Sequence, residues 1–193
     1  MAIPVSELQS ISPSSVIELF VLTLDPTLHG SSDSYRFHNG SAPDNNDEVI
    51  WAGNSYMRYP IQVTGFEQSG KGALPRPHLV VSNILSTMTA VIQEVNITYT
   101  PGNDLCGAEF LRIRTLARYL DADNWETGVN PFGTPSPSTE LPREIYKIDR
   151  KIAENRNVIE WECASAFDLS YGAKAPKRLV TRTDFPGVGT FVG

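Results

Sequence analysis

The chain is poor in the side chains that build most active sites and metal centres. Among 193 residues there are 2 cysteines and 3 histidines, and none of them shows the close spacing of a metal site or of a nucleophile beside its base. Cys106 and Cys163 lie far apart in the sequence, which predicts two buried free thiols without redox chemistry. Carboxylates are plentiful, but the sequence places no two of them across a cleft as a glycosidase requires. We therefore expect no enzyme activity and no catalytic, cofactor-binding or metal-binding residues.

Long apolar runs and basic clusters are missing as well. The longest apolar run, Val16 to Leu24, is far shorter than the roughly 20 residues that cross a bilayer. The N-terminus lacks a basic region followed by an apolar stretch, so we expect no secretory signal and a chain made in the cytosol. The formal net charge is −6, and the basic residues are dispersed. These features predict that neither nucleic acid nor a membrane is a partner.

What the chain does contain is the composition of one globular domain with an appendage at each end. Hydrophobic residues make up 40% and charged residues 20%, a balance typical of a soluble chain with a core. Pro13 and its neighbouring serines stop any long N-terminal helix, and the chain after Tyr171 is rich in Lys, Pro and Gly. We expect an N-terminal arm over residues 1–15, a β-rich domain over 16–171 and an extended tail over 172–193.

Short runs of β-branched and apolar residues, separated by turn signals, predict the strands of this domain. Gly53-Asn54 predicts a two-residue hairpin turn, and the four prolines between Asn130 and Pro142 predict a loop. The expected strands are Val16–Leu24, Tyr35–His38, Glu48–Ala52, a strand from Ser55, Tyr59–Gly65, Leu79–Val81, Ala108–Tyr119, Glu144–Ala153 and Val158–Ala164.

One helix is expected among these strands. Apolar residues recur at three- and four-residue spacing after Ser82, a residue type that favours helix N-caps. The pattern predicts a helix over about Asn83–Val95. Together, strands and helix predict a mainly β fold, an antiparallel barrel or sandwich with one packed α-helix.

Two stretches imitate ligand-binding motifs. Gly65 to Gly72 fits the phosphate-binding loop except at its last position, where Gly72 replaces the hydroxyl that coordinates magnesium. The prolines of Leu74–Pro77 also forbid the helix that such a loop must feed. Asp121 to Glu126 has the composition of a calcium loop, yet Trp125 stands where a ligand is required. We interpret the first as a glycine-rich connection. The second, like Asp44–Glu48, reads as a solvated acidic turn, with weak calcium binding left open.

The aromatic residues leave a second function class open. On a β-sandwich they could form a platform on which sugar rings stack, which makes a carbohydrate-binding module the alternative prediction. Packing in the core explains aromatic residues in strands more simply. The residues concerned are Trp51, Tyr56, Tyr59, Trp125 and Trp161.

Three blocks of sequence resemble one known family. The first and longest block contains Trp51, Gly53, Tyr56, Tyr59-Pro60-Ile61-Gln62, Gly65-Phe66-Glu67, Gly70-Lys71-Gly72, Arg76-Pro77, Leu79 and Val81-Ser82-Asn83. The second block runs from Arg114 to Asp121, and a looser third block runs from Pro142 to Glu160. In this order the blocks are similar to the lambda-type minor tail protein L family of phages. The resemblance covers about Val16 to Phe185.

The resemblance implies a non-catalytic structural component of the virion, located at the tail tip of a long-tailed phage and assembled in the host cytoplasm. It implies contacts with the distal tail ring and with the central hub or fibre protein, and a homotrimer or another symmetric ring. Glycines would let neighbouring backbones approach closely. Lys71 and Arg76 would then lie at subunit contacts.

The resemblance also raises a cofactor that this sequence does not match. Family members are expected to hold a four-iron cluster in a cysteine-rich C-terminal domain, and such a cluster normally takes four thiolates. This chain stops at Gly193 and has only Cys106 and Cys163. We therefore expect no cluster in this polypeptide, and a cluster only if the native chain continues into such a domain.

Overall fold

The computed structural model describes residues 2–40, 48–67, 74–84 and 86–166, and within them nine strands form one sheet. The expected tail over 172–193 lies outside the described residues. The strands are β1 (Val16–Thr23), β2 (Ser34–His38), β3 (Glu48–Trp51), β4 (Asn54–Arg58), β5 (Ile61–Thr64), β6 (His78–Ser82), β7 (Glu109–Leu116), β8 (Glu144–Glu154) and β9 (Val158–Ala164).

The strand order is β3-β4-β2-β1-β7-β8-β9-β6-β5, so β3 and β5 form the two ends of the sheet. Every pairing between two of these nine strands is antiparallel except that of β2 with β4. In the β3–β4 hairpin, β3 is the edge strand and β4 lies next to β2. In this position β4 runs parallel to β2. The prediction of a mainly β fold is confirmed, with this one parallel pair added.

Alternation along β1 divides the interior into two clusters, as expected for a strand whose successive side chains point to opposite faces. Phe20 and Leu22 join the larger cluster, whereas Leu19 and Val21 join a smaller one beneath the β3–β4 hairpin. Ile61, from the terminal strand β5, shares the larger cluster with Phe20. The sheet therefore curls round one main core, and its outer face is partly covered by its own hairpin.

The long helix, α3, spans Thr87–Thr98 and buries Met88, Ile92 and Val95. The predicted buried face is confirmed, but the predicted start at Asn83 is wrong by four residues. Asn83 instead donates from its side-chain nitrogen to the Asn155 carbonyl at 3.0 Å, and its backbone N–H donates to the Asn157 carbonyl at 2.8 Å. These bonds hold the residue against the β8–β9 turn, and Ser82 stays in the sheet.

The hairpin between β3 and β4 turns one residue earlier than predicted. Its central residues are Ala52 and Gly53, with φ of 52° and 71°, and Trp51 pairs with Asn54. Two positive φ angles are typical of the tight hairpin turn whose twist matches that of the strands. Asn54 belongs to β4, and its side-chain nitrogen donates to the Ala52 carbonyl at 3.1 Å.

Four short helical turns complete the described chain. These are α1 (Val5–Leu8), α2 (Pro26–His29) and two 3-10 turns, Ala117–Tyr119 and Ala122–Asn124. The strand predicted over Ala108–Tyr119 therefore ends at Leu116, where the first 3-10 turn begins. Among the described residues, no helix has the length and apolar character needed to cross a membrane.

Candidate assembly surface

The two cysteines show what chemistry the interior allows. Cys163 is fully buried in β9, and burial raises the pKa of its thiol to about 12. Cys106 is half-buried, and burial also raises the pKa of this thiol. Both are unpaired, as predicted. Since the thiolate is the form that is nucleophilic and ligates metals, the burial that raises the pKa of both thiols favours their unreactive protonated form at neutral pH. Within the described ranges, no three His, Cys, Asp or Glu side chains are grouped to hold a metal ion.

The calcium-like turn is used inside the protein. Asn124 is buried, and its amide meets the backbone of Ile50 in β3: the Ile50 N–H donates to Oδ1 at 2.7 Å, and Nδ2 donates to the Ile50 carbonyl at 2.5 Å. Asp121 accepts a bond from the Gly53 N–H at 2.7 Å. The turn thus covers the outer edge of β3. Sequence reasoning missed this role because Asn124 and Ile50 are far apart in the chain.

The opposite edge of the sheet is formed by β5, which pairs with β6 on one side only. No strand of the described chain lies on its other side. Exposed strand edges carry backbone N–H and C=O groups that can pair with another chain. Asn124 bonds to the outer side of β3 at Ile50, and β5 is the other edge, on whose outer side the described residues place no strand.

The first glycine of the glycine-rich block makes a close backbone approach within the chain. Gly65 has a φ of 86°, and a Cβ at this position would lie 3.2 Å from the Arg76 carbonyl oxygen. The connection then leads into β6. Since a strand follows where a phosphate-binding loop needs a helix, the structure supports the interpretation as a connection.

Arg76 ties this connection to the sheet. Its guanidinium donates to Glu162 at 2.8 Å and to Asp149 at 3.1 Å, while Arg150 binds the other oxygen of Glu162 at 2.6 Å. The bonds from Arg76 and Arg150 hold the pKa of the Glu162 carboxyl below its usual range. This role of Arg76 within its own chain was not expected from the sequence. A role at subunit contacts stays a prediction, and Lys71 lies outside the described residues.

A second charged network links three strands of the sheet. Arg112 in β7 bonds to Glu18 in β1 and to Glu144 in β8, the latter at 3.0 Å, and Arg114 bonds to Glu144 at 2.7 Å. The Arg112 guanidinium also lies 4.1 Å from the centre of the Phe66 ring. Paired charges with an aromatic cover stabilise the sheet more than isolated surface pairs do.

Most of the aromatic side chains serve the core. Trp51, Tyr56 and Trp161 are buried, and the Trp161 indole donates to the Asp104 carbonyl at 3.0 Å. Tyr59 is partly buried and donates its hydroxyl to the Ser82 carbonyl at 3.0 Å. These four residues therefore do not form the exposed platform that sugar stacking needs.

A groove lies beside the N-terminal end of the central strand β1. It has a volume of about 630 Å³, and its apolar lining includes Val16, Ile17, Leu120, Trp125, Pro131 and Phe132. The Trp125 and Phe132 rings are 6.2 Å apart.

The functional side chains described so far tie strands together, cover an edge or fill the core. This arrangement is that of a β-rich domain whose charged and amide side chains hold its own sheet together. The sequence model of the family described as phage minor tail protein L matches residues 27–186, most of the chain. The protein belongs to this family.

A curated relative agrees with this assignment. Tail tip protein L of Escherichia phage lambda is 37% identical over 89 residues, which cover 46% of this chain and 35% of the relative. The chain thus matches about a third of the length of that relative. Membership gives the protein a structural role in a phage tail.

Proposed function

We propose that this chain is a subunit of the tail tip of a long-tailed phage, where it joins the distal end of the tail tube to the central hub or fibre. The match to the minor tail protein family over residues 27–186 carries the proposal. That range extends from α2 to beyond β9 and so includes nearly the whole sheet. The relative from phage lambda is itself named a tail tip protein.

The proposed arrangement is a homotrimer or another symmetric ring, assembled in the host cytoplasm with the distal tail ring and the hub or fibre protein. A ring needs surfaces that bind a neighbour without further folding. The edge of β5, beside which no strand of the described residues lies, is such a surface, because an extended segment of another protein can add to it. The Arg112 and Glu162 networks stiffen the sheet that presents this edge.

A carbohydrate-binding module is the less favoured function. Of the five aromatic residues that suggested it, three are fully buried and Tyr59 is partly buried with its hydroxyl bonded. We also propose that the chain is not an enzyme and has no cofactor. The four-iron cluster of the family does not fit the residues present, since the sequence has 2 cysteines and such a cluster takes four thiolates.

The experiment is genetic complementation in the phage that encodes the chain. A nonsense allele should give particles whose tails lack a functional tip, and the wild-type chain supplied in trans should restore infectivity. Cryo-electron microscopy of the restored particles should show density for the sheet between the tail tube and the hub. Infectious particles with normal tails and without this chain would contradict the proposal.

A further inference from the structure

The backbone of β3 has one residue that faces away from the sheet near its middle. In an antiparallel pair, successive residues direct their N–H and C=O groups alternately towards the partner strand and away from it. Trp51 pairs with Asn54 to close the two-residue turn and so faces β4. Ile50, the residue before it, therefore faces outwards. Its N–H and C=O are the groups through which another strand would extend the sheet beyond β3.

The same alternation applies at the opposite end of the sheet. The Ser82 N–H in β6 donates to the Pro60 carbonyl at 2.9 Å, so Pro60 and then Gln62 face β6. Ile61 and Val63 face the other way. The residues that the structure describes place no strand on that side of β5. Each end of the sheet thus has outward backbone groups of the kind that pair with a strand.

The outward groups of β3 are already bonded within the chain. The Ile50 N–H donates to Asn124 Oδ1 at 2.7 Å, and the Ile50 carbonyl accepts from Asn124 Nδ2 at 2.5 Å and from the Asp121 N–H at 3.4 Å. Nδ2 also donates to the Asp121 carbonyl at 2.8 Å. The amide therefore makes the bonds of a neighbouring strand, and both of its N–H groups are used inside the chain.

The segment that carries Asn124 is held in place by contacts of its own. Leu120 is fully buried and belongs to the smaller core cluster. Asn130 is buried and donates from Nδ2 to three carbonyls between residues 117 and 120, at 3.0–3.1 Å. Because these contacts do not involve the Asn124 side chain, replacing that side chain removes its bonds to Ile50 and leaves the anchors of the segment in place.

Without Asn124 the two ends of the sheet would match each other. Ile50 at one end, and Ile61 and Val63 at the other, offer N–H and C=O groups, so β3 of one copy could pair with β5 of the next. Such a contact is head-to-tail, and a head-to-tail contact that does not close on itself grows into a filament. Proteins commonly prevent this growth by covering one edge.

We infer that Asn124 blocks the β3 edge against the β5 edge of a second copy of this chain. The sheet then forms no open-ended polymer, and β5 stays available for a strand of a tail partner. The inference rests on the proposed use of β5 in assembly. It adds the reason why the sheet accepts a strand at one end only.

The first test compares wild type and Asn124→Ala by sedimentation at increasing concentration, in chains with matching circular dichroism spectra. The wild type should reach a limiting mass. Asn124→Ala should keep growing and associate on the order of tenfold more tightly, because pairing restores the lost bonds of Ile50. Asp123→Ala, at an exposed position in the same turn, should behave as the wild type. A folded Asn124→Ala chain with the wild-type limiting mass would overturn the inference.

The second test identifies the edge that receives β3. Val63→Pro removes an outward N–H of β5, and proline is tolerated where the N–H of an edge strand faces away from the sheet. Added to Asn124→Ala, it should restore the limiting mass. Val63→Thr keeps the N–H and the branched shape and should not restore it. Growth that persists with Val63→Pro would mean that the contact lies elsewhere, and would refute the inference.

Hydrogen exchange on the dilute wild type decides the matter if Asn124→Ala does not fold. The Ile50 amide should exchange on the order of tenfold or more slowly than the Val63 amide, since its bond to Asn124 protects it. Equal rates would refute the block. Complementation tests the proposed function separately: normal tails without this chain refute that function, whereas a folded Asn124→Ala chain that does not polymerise refutes only the role of Asn124.

Discussion

Asn124 and Ile50 pair through two hydrogen bonds, so that one side-chain amide takes the place of the strand missing at the edge of β3. The amide offers an acceptor and a donor at the spacing that a neighbouring backbone would offer. Among the described residues, the sheet therefore has one edge bonded by Asn124, at β3, and one edge without a neighbouring strand, at β5. An asymmetric sheet of this kind can add a partner strand at one end without growing at the other.

Asn124→Ala should destabilise the fold by about 1–3 kcal/mol, since it leaves the Ile50 N–H without its partner and removes one of the two donors to the Ile50 carbonyl. Asn124→Asp keeps the acceptor and should lose less. The measurement is the free energy of unfolding in denaturant. Asp123→Ala is the matched control in the same turn, because Asp123 is exposed. Equal stabilities for the Asn124 and Asp123 variants would show that the edge needs no cover.

A substitution in the turn between β3 and β4 should instead raise the free energy of unfolding. Ala52 has a φ of 52°, a region that costs a residue with a side chain about 1 kcal/mol or more. Ala52→Gly should therefore raise the free energy of unfolding, by about 0.5 kcal/mol after the added entropy of the unfolded chain. Ala90→Gly, at an exposed position in α3, should lower it by about 1 kcal/mol. Loss of stability in both variants would contradict strain at Ala52.

The thiols should differ in reactivity. Cys163 is buried and burial raises its pKa to about 12, so it should not react with a thiol reagent at pH 7 to 8. Cys106 is half-buried with a raised pKa and should react slowly, faster as the pH rises. A timed assay on native protein should count one thiol, and two after unfolding. Rapid labelling of both in the native protein would contradict the burial of β9.

The cofactor prediction can be tested on the same protein. After anaerobic incubation with iron and sulfide, the 193-residue chain should retain no stoichiometric iron, because its 2 cysteines fall short of the four thiolates that a four-iron cluster takes. A chain carrying Cys106→Ser and Cys163→Ser serves as the control. Iron and sulfide bound by the wild type and lost in the control would show that these cysteines ligate a cluster.

Most of the strands and the buried face of the helix could be predicted from the sequence, but few of the hydrogen bonds within the chain could. Runs of β-branched residues located the strands, and the spacing of Met88, Ile92 and Val95 located the buried face of α3. The start of α3 could not be read, because Asn83 is held by Asn155 and Asn157 across a turn formed much later in the chain.

The candidate site shows the same division. Asn124 bonds to Ile50, 74 positions away in the chain, and Arg76 bonds to Glu162, 86 positions away. Short sequence patterns cannot predict pairs so far apart.

Glu162 should make the stability of the sheet depend on pH. Its hydrogen bonds from Arg76 and Arg150 lower the pKa of the folded carboxyl below the ordinary value of about 4.3. Because the folded state binds the proton less readily than the unfolded state, the contribution is present at neutral pH. It is lost as the pH falls from about 4.3 through the lowered folded value. Glu162→Gln should cost about 1–3 kcal/mol at pH 7.

The check is the free energy of unfolding of wild type and Glu162→Gln measured from pH 7 to pH 3. The difference between them should shrink as the pH falls, because protonation removes from the wild type the charge that the variant already lacks. Glu109→Gln, at an exposed position in β7, should follow the wild type throughout. A difference that stays constant with pH would mean that Glu162 acts through packing, and that Arg76 and Arg150 do not stabilise its charged form.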